Sequence, residues 1–168
     1  MKWHVLLILS VLNLGSTQEL PSATEFQTQK DVARLIGEAR AEVLLTAPGI
    51  YSRTLAEALR EDIVVRGVDV YLLMSPSKVE DRAAYAMSLQ LAGARVRLAE
   101  VTESYLVIDR ERIVRGSTLA MAEATSISEG IAHSSDSSEV AQAVTQFYES
   151  FQAAPIYKPV LPDVRREP

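Results

Sequence analysis

The stretch YLVIDRERIVRGS, residues 105–117, sets the expectation for the fold. Residues 105–108 are apolar strand formers, residues 109–112 are charged, and the chain from Ile113 onward returns to a Gly-Ser pair. Two short strands separated by a polar turn are typical of a β-hairpin. We therefore predict a hairpin that brings small polar groups to one end of a sheet.

The segments before the hairpin alternate between strand-like and helix-like patterns. Short apolar runs predict strands at residues 43–46, 68–74 and 96–99. Helical spacing of apolar residues predicts helices at residues 29–41, after Ser52, and at residues 80–92. Successive strand-helix-strand units require right-handed crossovers within a parallel sheet. With the hairpin added, the expected fold class is α/β, a mixed, largely parallel sheet flanked by helices.

Local signals refine the predicted helices. Ser52 has the side chain of an N-cap residue, and Gly67 and Gly93 stand where helices end in a left-handed conformation. The buried face of the helix at residues 80–92 is expected to consist of Ala84, Met87 and Leu91.

The C-terminal part carries the clearest helical pattern. Residues 129–133 are predicted as a further strand, and Asp136 followed by Glu139 has the spacing of a capping box. The helix after this box has apolar residues at helical spacing, namely Val140, Val144, Phe147 and Phe151. The prolines from Pro155 onward predict an extended tail.

The N-terminus has the form of a secretory signal. A positive start at Lys2 precedes an almost unbroken apolar run at residues 5–14 and then a small, polar stretch. A buried helix or an uncleaved anchor is the alternative. The prediction divides the chain into a signal peptide at 1–18, a domain at 19–153 and an extended tail at 154–168. No stable transmembrane segment is expected after cleavage, and the protein is expected to be secreted or periplasmic.

Composition limits the chemistry. The chain has no cysteine, which excludes a lipid-anchoring cysteine, a thiolate metal site and a cysteine nucleophile. Removal of Lys2 with the signal leaves 16 of the 17 basic residues against 22 acidic ones, a net charge of −6. This balance argues against a protein that coats nucleic acid by charge alone. No cofactor and no metal are predicted.

Several stretches of the sequence resemble one family. VID at residues 107–109, followed by Gly116 and Ser117, resembles the second half of the HxKxxxxD…GS signature of the phospholipase D superfamily, in particular its small secreted single-motif endonucleases. LLTAPGIYSRTLAEAL, IVVRGVDVYLLM and LAGARVRL are similar to earlier parts of the same family in the same order. The resemblance covers residues 32–151 and implies a phospholipase D-like nuclease fold.

The same resemblance implies a chemistry that two positions contradict. Family members cleave phosphodiesters through a phosphohistidine, with a second histidine from a symmetry-related motif and two lysines on the phosphate. The histidine and lysine would fall at Thr102 and Ser104. A threonine hydroxyl is a poor nucleophile without a base, and a serine carries no positive charge. The resemblance therefore implies a pocket without its catalytic groups.

Other positions of the implied pocket are kept. Asp109 matches the motif's aspartate, Gly116 and Ser117 match its GS pair, and Glu129 matches a glutamate that helps to orient the histidine. Each also has an ordinary structural explanation in a turn or at a strand end. Leu119 stands where an asparagine is often found.

Three basic residues complete the candidate site. Arg110 and Arg112 lie close to the hairpin and are candidates to bind phosphate, with a solvated, charge-balanced surface as the alternative. His133 is the only histidine after the signal and is the one candidate base, although a partly exposed strand-end histidine explains it equally well.

Three functions follow from these observations. The leading hypothesis is an exported, catalytically deficient phospholipase D-like domain that binds a phosphate-containing ligand or nucleic acid, with a homodimer implied because single-motif relatives build one site from two copies. The first alternative is an active phosphodiesterase or endonuclease of the same family. The second alternative is a purely structural dimerisation module.

Overall fold

The structure is a computed structural model that describes residues 24–26, 29–116, 119 and 131–159. Its seven strands are β1 (Thr24–Phe26), β2 (Glu42–Ala47), β3 (Asp69–Met74), β4 (Arg95–Leu98), β5 (Tyr105–Ile108), β6 (Arg112–Arg115) and β7 (Ile131–Ser134). Its α-helices are α1 (Gln29–Ile36), α2 (Arg53–Glu61), α3 (Pro76–Val79), α4 (Ala86–Ala92) and α5 (Ser137–Ala153). None of the described helices is long and apolar enough to cross a membrane.

The strands form one mixed sheet in the order β1-β7-β6-β5-β2-β3-β4. The β2, β3 and β4 strands pair in parallel, as the two crossover helices require. The β5–β6 hairpin is antiparallel, as predicted, and joins the sheet by pairing with β2. The β7 and β1 strands extend the antiparallel half, so parallel pairing takes a smaller share of the sheet than the sequence suggested.

Helices cover both faces of this sheet. On one face α1, α2 and α4 contribute Val32, Leu59 and Leu89 to a buried apolar layer. On the other face α5 alone contributes Phe147 and Phe151, which pack against the strands. A sheet covered on both faces explains why the parallel strands read as continuous apolar runs rather than as alternating ones.

Helix ends follow the local signals in the sequence. The Ser52 hydroxyl accepts a hydrogen bond from the Leu55 N–H at 3.3 Å and caps α2. Asp136 caps α5 by accepting hydrogen bonds from Ser138 and Glu139. Gly67 has φ 70°, the left-handed conformation that favours glycine, where the helix after α2 ends. The predictions for Ser52 and Gly67 are confirmed. Asp136 is the N-cap as predicted, but the capping box is not completed, because the Asp136 N–H donates to the Ser134 hydroxyl at 3.1 Å.

The third predicted helix is wrong in its start and in its buried face. Helix α4 begins at Ala86 rather than near residue 80, because Asp81 accepts a hydrogen bond from the Ala83 N–H and Tyr85 donates to Ile50, which holds a turn there. Ala86 and Leu89 are buried, whereas Leu91 is 63% exposed. The buried face of α4 therefore differs from the predicted one.

Two short pairing segments have no counterpart in the predictions. The three-residue β1 strand pairs with β7 at the sheet edge, although its polar sequence gives no strand signal. At the opposite edge, residues 155–157 are extended, as expected for the tail, and also pair with β4. Segments of three residues are too short to show a period of two in the sequence.

A π-helical turn, Asp62–Arg66, follows α2 without interruption. The Asp62 side chain is fully buried, and the guanidinium of Arg66 contacts its carboxylate. The same guanidinium donates a hydrogen bond to the carbonyl of Gly37, just after α1. The ion pair lies within the π-helical turn, and the hydrogen bond to Gly37 joins this turn to the end of α1.

Candidate functional site

The residues of the implied motif begin at one end of the sheet, which we call the motif end. There the parallel strands finish at Ala47, Met74 and Leu98, and β5 begins at Tyr105. Loops that follow parallel strands are common places for binding and catalytic groups. The loop from β4 to β5 carries Thr102 and Ser104.

Ser104 and Gly116 are neighbours at the motif end. The Gly116 N–H donates a hydrogen bond to the Ser104 carbonyl at 3.3 Å, which continues the hairpin pairing by one residue. Thr102 is exposed, two residues before Ser104. The structure thus brings Ser104 and Gly116 together, with Thr102 exposed in the same loop.

The loop that carries Thr102 is hydrogen-bonded to Ser75. This serine follows β3, is 4% exposed, and its hydroxyl accepts a hydrogen bond from the Val101 N–H at 3.1 Å. This hydrogen bond joins the β4–β5 loop to the end of β3. This contact has no local sequence signal, because the two residues are 26 positions apart.

Arg115, at the end of β6, is paired with a carboxylate. Arg115, the last residue of β6, donates to a Glu139 carboxylate oxygen at 3.0 Å and lies over the Tyr105 ring, 5.5 Å from its centroid. Burial raises the pKa of the Tyr105 phenol, so this hydroxyl is neutral at ordinary pH. Arg115 is therefore not an unpaired cation, and the Tyr105 hydroxyl is not an ionised oxygen.

Asp109 lies at the opposite end of the sheet, beyond the last residue of β5. The four residues of β5 lie between it and Ser104, which is five residue steps or about 17 Å along the strand. Its carboxylate accepts hydrogen bonds from the N–H groups of Arg40, Ala41 and Glu42 at 2.9–3.2 Å. Burial alone would raise the pKa of Asp109, but these hydrogen bonds outweigh it and lower the pKa below its ordinary value. The carboxylate thus joins the hairpin turn to the start of β2.

Arg110 is at this far end as well. It shares the turn with Asp109, and both residues have positive φ, 53° at Asp109 and 57° at Arg110. Its guanidinium donates to Glu42 and lies 5.4 Å from the centroid of the Tyr148 ring. Burial, with a 2.7 Å hydrogen bond to Glu42, raises the pKa of Tyr148 to about 12. Tyr148 is a member of this cluster that the sequence did not reveal, since it reads only as a helix residue.

Arg112 is paired on the other face of the sheet. Its guanidinium donates to Glu38 at 2.8 Å, and this hydrogen bond is the largest of several contacts that together lower the pKa of the Glu38 carboxyl. Arg110 and Arg112 therefore hold carboxylates of their own chain, and both are remote from Gly116. Among the described residues, the structure does not bring Arg110 and Arg112 together with Gly116.

His133 is half-buried on β7, between Thr24 of β1 and Val114 of β6. From His133 the path to Ser104 crosses two strand spacings, to β6 and then to Leu106 of β5, and then two residues along β5. The two backbones are therefore about 12 Å apart. Burial lowers the pKa of His133, and the positive charge of Arg112 lowers it further. The imidazole is therefore neutral near pH 7, but it faces Arg112 rather than the motif end.

The remaining predicted positions are only partly described. Ser117 and Glu129 lie outside the described residues. Leu119, which stands at the usual asparagine position, is 1% exposed and belongs to the apolar layer under α1. Among the described residues, no group of three or more histidine and acidic side chains is placed to hold a metal ion.

Comparison with known proteins identifies the fold class. No protein-family model matches the sequence, and a search of curated proteins finds no match. Nuc of Salmonella typhimurium, a phospholipase D family member, is similar in structure with a TM-score of 0.65 and 15% identity over 76% of this chain and 89% of Nuc. NucT of Helicobacter pylori has a TM-score of 0.67 and 15% identity over 81% of this chain and 98% of NucT.

A third similar structure is that of TrmBL2, an archaeal chromatin protein with a novel mode of DNA binding. Its TM-score is 0.56 with 20% identity over 83% of this chain and 56% of TrmBL2. The mixed sheet, its helical layers and these similarities together define a phospholipase D-like fold, as the sequence predicted.

The environment of His133 predicts a pH effect on stability. Because the folded protein lowers the pKa below 6.5, the unfolded chain binds the proton more readily. The stability that a neutral His133 contributes is therefore fully present above pH 6.5 and is lost as the pH falls below it. We expect His133→Gln to reduce the difference in unfolding free energy between pH 7.5 and 5.5, measured by urea denaturation. An unchanged difference would contradict this environment.

Proposed function

We propose that this protein is an exported phospholipase D-like domain that does not hydrolyse phosphodiesters and acts by binding or assembly. The observation that carries the proposal is the chemistry of the motif end. Thr102 and Ser104 occupy the β4–β5 loop beside Gly116, with no imidazole or ammonium group in that loop. Phosphoryl transfer needs an aligned nucleophile and positive charge on the phosphate oxygens.

The placement of the other candidates supports the same proposal. A serine triad would need a histidine within hydrogen-bond reach of Ser104, and His133 is too distant for this. Asp109 is engaged by three backbone N–H groups at the far end of the sheet. An active phosphodiesterase built from this single chain would have to use groups that the described residues do not bring together.

Export is supported by the sequence of residues 1–18 alone, which has the charge and apolar run of a signal peptide. A homodimer follows from the resemblance to single-motif relatives, which use two copies. A dimer of this chain would pair two motif ends that both lack the catalytic groups, so assembly would not restore the reaction.

The candidate ligand with a specific observation behind it is nucleic acid. The fold is shared with a DNA-binding chromatin protein. Against strong binding, the net charge is −5 and Arg110, Arg112 and Arg115 are all paired with carboxylates. Any binding to the phosphate backbone is therefore expected to be weak and dependent on salt.

Titration with a fluorescent single-stranded oligonucleotide at two salt concentrations tests the ligand. If phosphate is the ligand, the affinity falls as salt rises, because counterion release drives the contact. Inorganic phosphate and a phospholipid head group are the parallel probes. Failure of all three to bind at low salt would remove a phosphate-containing ligand and leave assembly as the function.

A further inference from the structure

The outer edge of β4 pairs with residues 155–157, which we call the strap. The Leu98 N–H donates to the Pro155 carbonyl at 2.9 Å, and the Tyr157 N–H donates to the Val96 carbonyl at 3.0 Å. Ile156 forms an antiparallel bridge with Arg97. The strap therefore occupies the edge of β4 as an added strand does.

One aromatic side chain holds the strap in place. Tyr157 is 8% exposed and belongs to the apolar layer that α4 covers. Its carbonyl accepts a 2.8 Å hydrogen bond from the side-chain amide of Gln90. By contrast, Ile156 between the two paired residues is 60% exposed. The strap thus has a buried anchor and an outer surface that contacts little.

The strap does not fill the space at this edge. A groove of about 360 Å³ lies beside it, and its lining includes Gln90, Ala94, Arg95, Phe151 and Ile156. The Oε1 atom of Gln90 is buried and accepts no hydrogen bond from any described residue. A buried acceptor without a partner is uncommon, and here it belongs to a residue that lines open space.

The strap also forms few of the main-chain hydrogen bonds of a regular β-strand. Pro155 and Pro159 lack N–H donors, which limits it to a few main-chain hydrogen bonds. A longer segment without these prolines would pair with the same groups of Val96 and Leu98 and would continue past Ala94 into the groove.

We propose that the β4 edge is a strand-addition site for an extended peptide with an aromatic side chain, and that the strap occupies this site in the free chain. The strap itself shows the chemistry of the partner, an apolar segment whose tyrosine enters the layer beside α4. This site extends the proposed function, because it gives the class of partner, and it lies three strands away from the hairpin that carries Asp109.

A labelled peptide AAPIYKPV, which has the sequence of residues 153–160, tests the site with the full chain. Tyr157→Ala weakens the strap and is expected to bind this peptide about tenfold more tightly than the original chain, because a larger fraction of molecules has an open edge. The peptide AAPIAKPV should bind neither. The matched control is Lys158→Ala, which changes an exposed residue directly after the strap and should leave the affinity unchanged. Equal affinity for Tyr157→Ala and the original chain would overturn the proposal.

Hydrogen exchange of the unaltered protein gives an independent test should Tyr157→Ala not fold. The Leu98 and Tyr157 amides are expected to exchange faster than the Leu44 amide in the central β2 strand. When the peptide is added, the Leu98 amide should slow because it pairs with the peptide, whereas the Tyr157 amide should exchange faster because the displaced strap loses the Val96 carbonyl. Exchange of all three at one rate would overturn the proposal. Neither result depends on phosphodiester hydrolysis, so this site and the absence of catalysis fail separately.

Discussion

Replacement of Arg66 by alanine is expected to lower the free energy of unfolding by about 3–5 kcal/mol, the typical loss when one partner of a buried ion pair is removed. Asp62 is fully buried, and the guanidinium of Arg66 is its contact in the π-helical turn. Without it the Asp62 carboxylate would be a buried, uncompensated charge. The link to the Gly37 carbonyl would also be lost.

Two variants make this test specific. Arg60→Ala, on the exposed surface of α2, is expected to change the unfolding free energy by less than about 0.5 kcal/mol. The double variant Asp62→Leu with Arg66→Leu should recover most of the loss, since apolar groups can replace a buried pair at little net change. Urea denaturation measures all three. A loss for Arg66→Ala no larger than that for Arg60→Ala would show that Arg66 does not stabilise the buried Asp62 carboxylate.

Asp109→Ala is expected to lower the free energy of unfolding by about 3 kcal/mol. Hydrogen bonds to a charged group contribute about 1.5–3 kcal/mol each, and partly exposed N–H groups recover some of this from water. Alanine also fits poorly at φ 53°. Asp109→Asn should lose about 1 kcal/mol, because an amide oxygen still accepts and asparagine tolerates this conformation.

The neighbouring Glu111 is the matched control for Asp109. It is exposed in the same turn, so Glu111→Ala should change the unfolding free energy by less than about 0.5 kcal/mol. The lowered pKa of Asp109 adds a pH signature: its stabilisation is present above the ordinary carboxyl pKa and is lost as the pH falls through the lowered one. An Asp109→Ala variant as stable as Glu111→Ala would contradict the structural role.

The sequence predicted the layers of the fold because their signals are local. Ser52 and Asp136 are side chains that cap the helices beginning beside them, and the apolar run of β3 is long enough to show burial on both faces. The predicted start of the third helix was wrong because the turn before Ala86 depends on a distant acceptor, the Ile50 carbonyl. No local pattern records such a contact.

The candidate site was predictable only in part for the same reason. The hairpin itself was predictable because it is a local structure, and its pairing extends by one residue to Ser104 and Gly116. The partners of Asp109 are backbone groups 67–69 residues earlier, and backbone N–H groups have no sequence signature. The pairing of Arg112 with Glu38 spans 74 residues and was likewise out of reach.

The central claim is that the phospholipase D-like sheet persists without groups able to cleave a phosphodiester. Its most direct test is the hydrolysis of bis(4-nitrophenyl) phosphate and of a labelled single-stranded oligonucleotide by the purified protein, with a heat-treated sample as control and Thr102→Ala plus Ser104→Ala as the matched variant. We expect the protein, the variant and the heat-treated sample to give the same rate. Turnover above the heat-treated control that His133→Ala abolishes would contradict the claim.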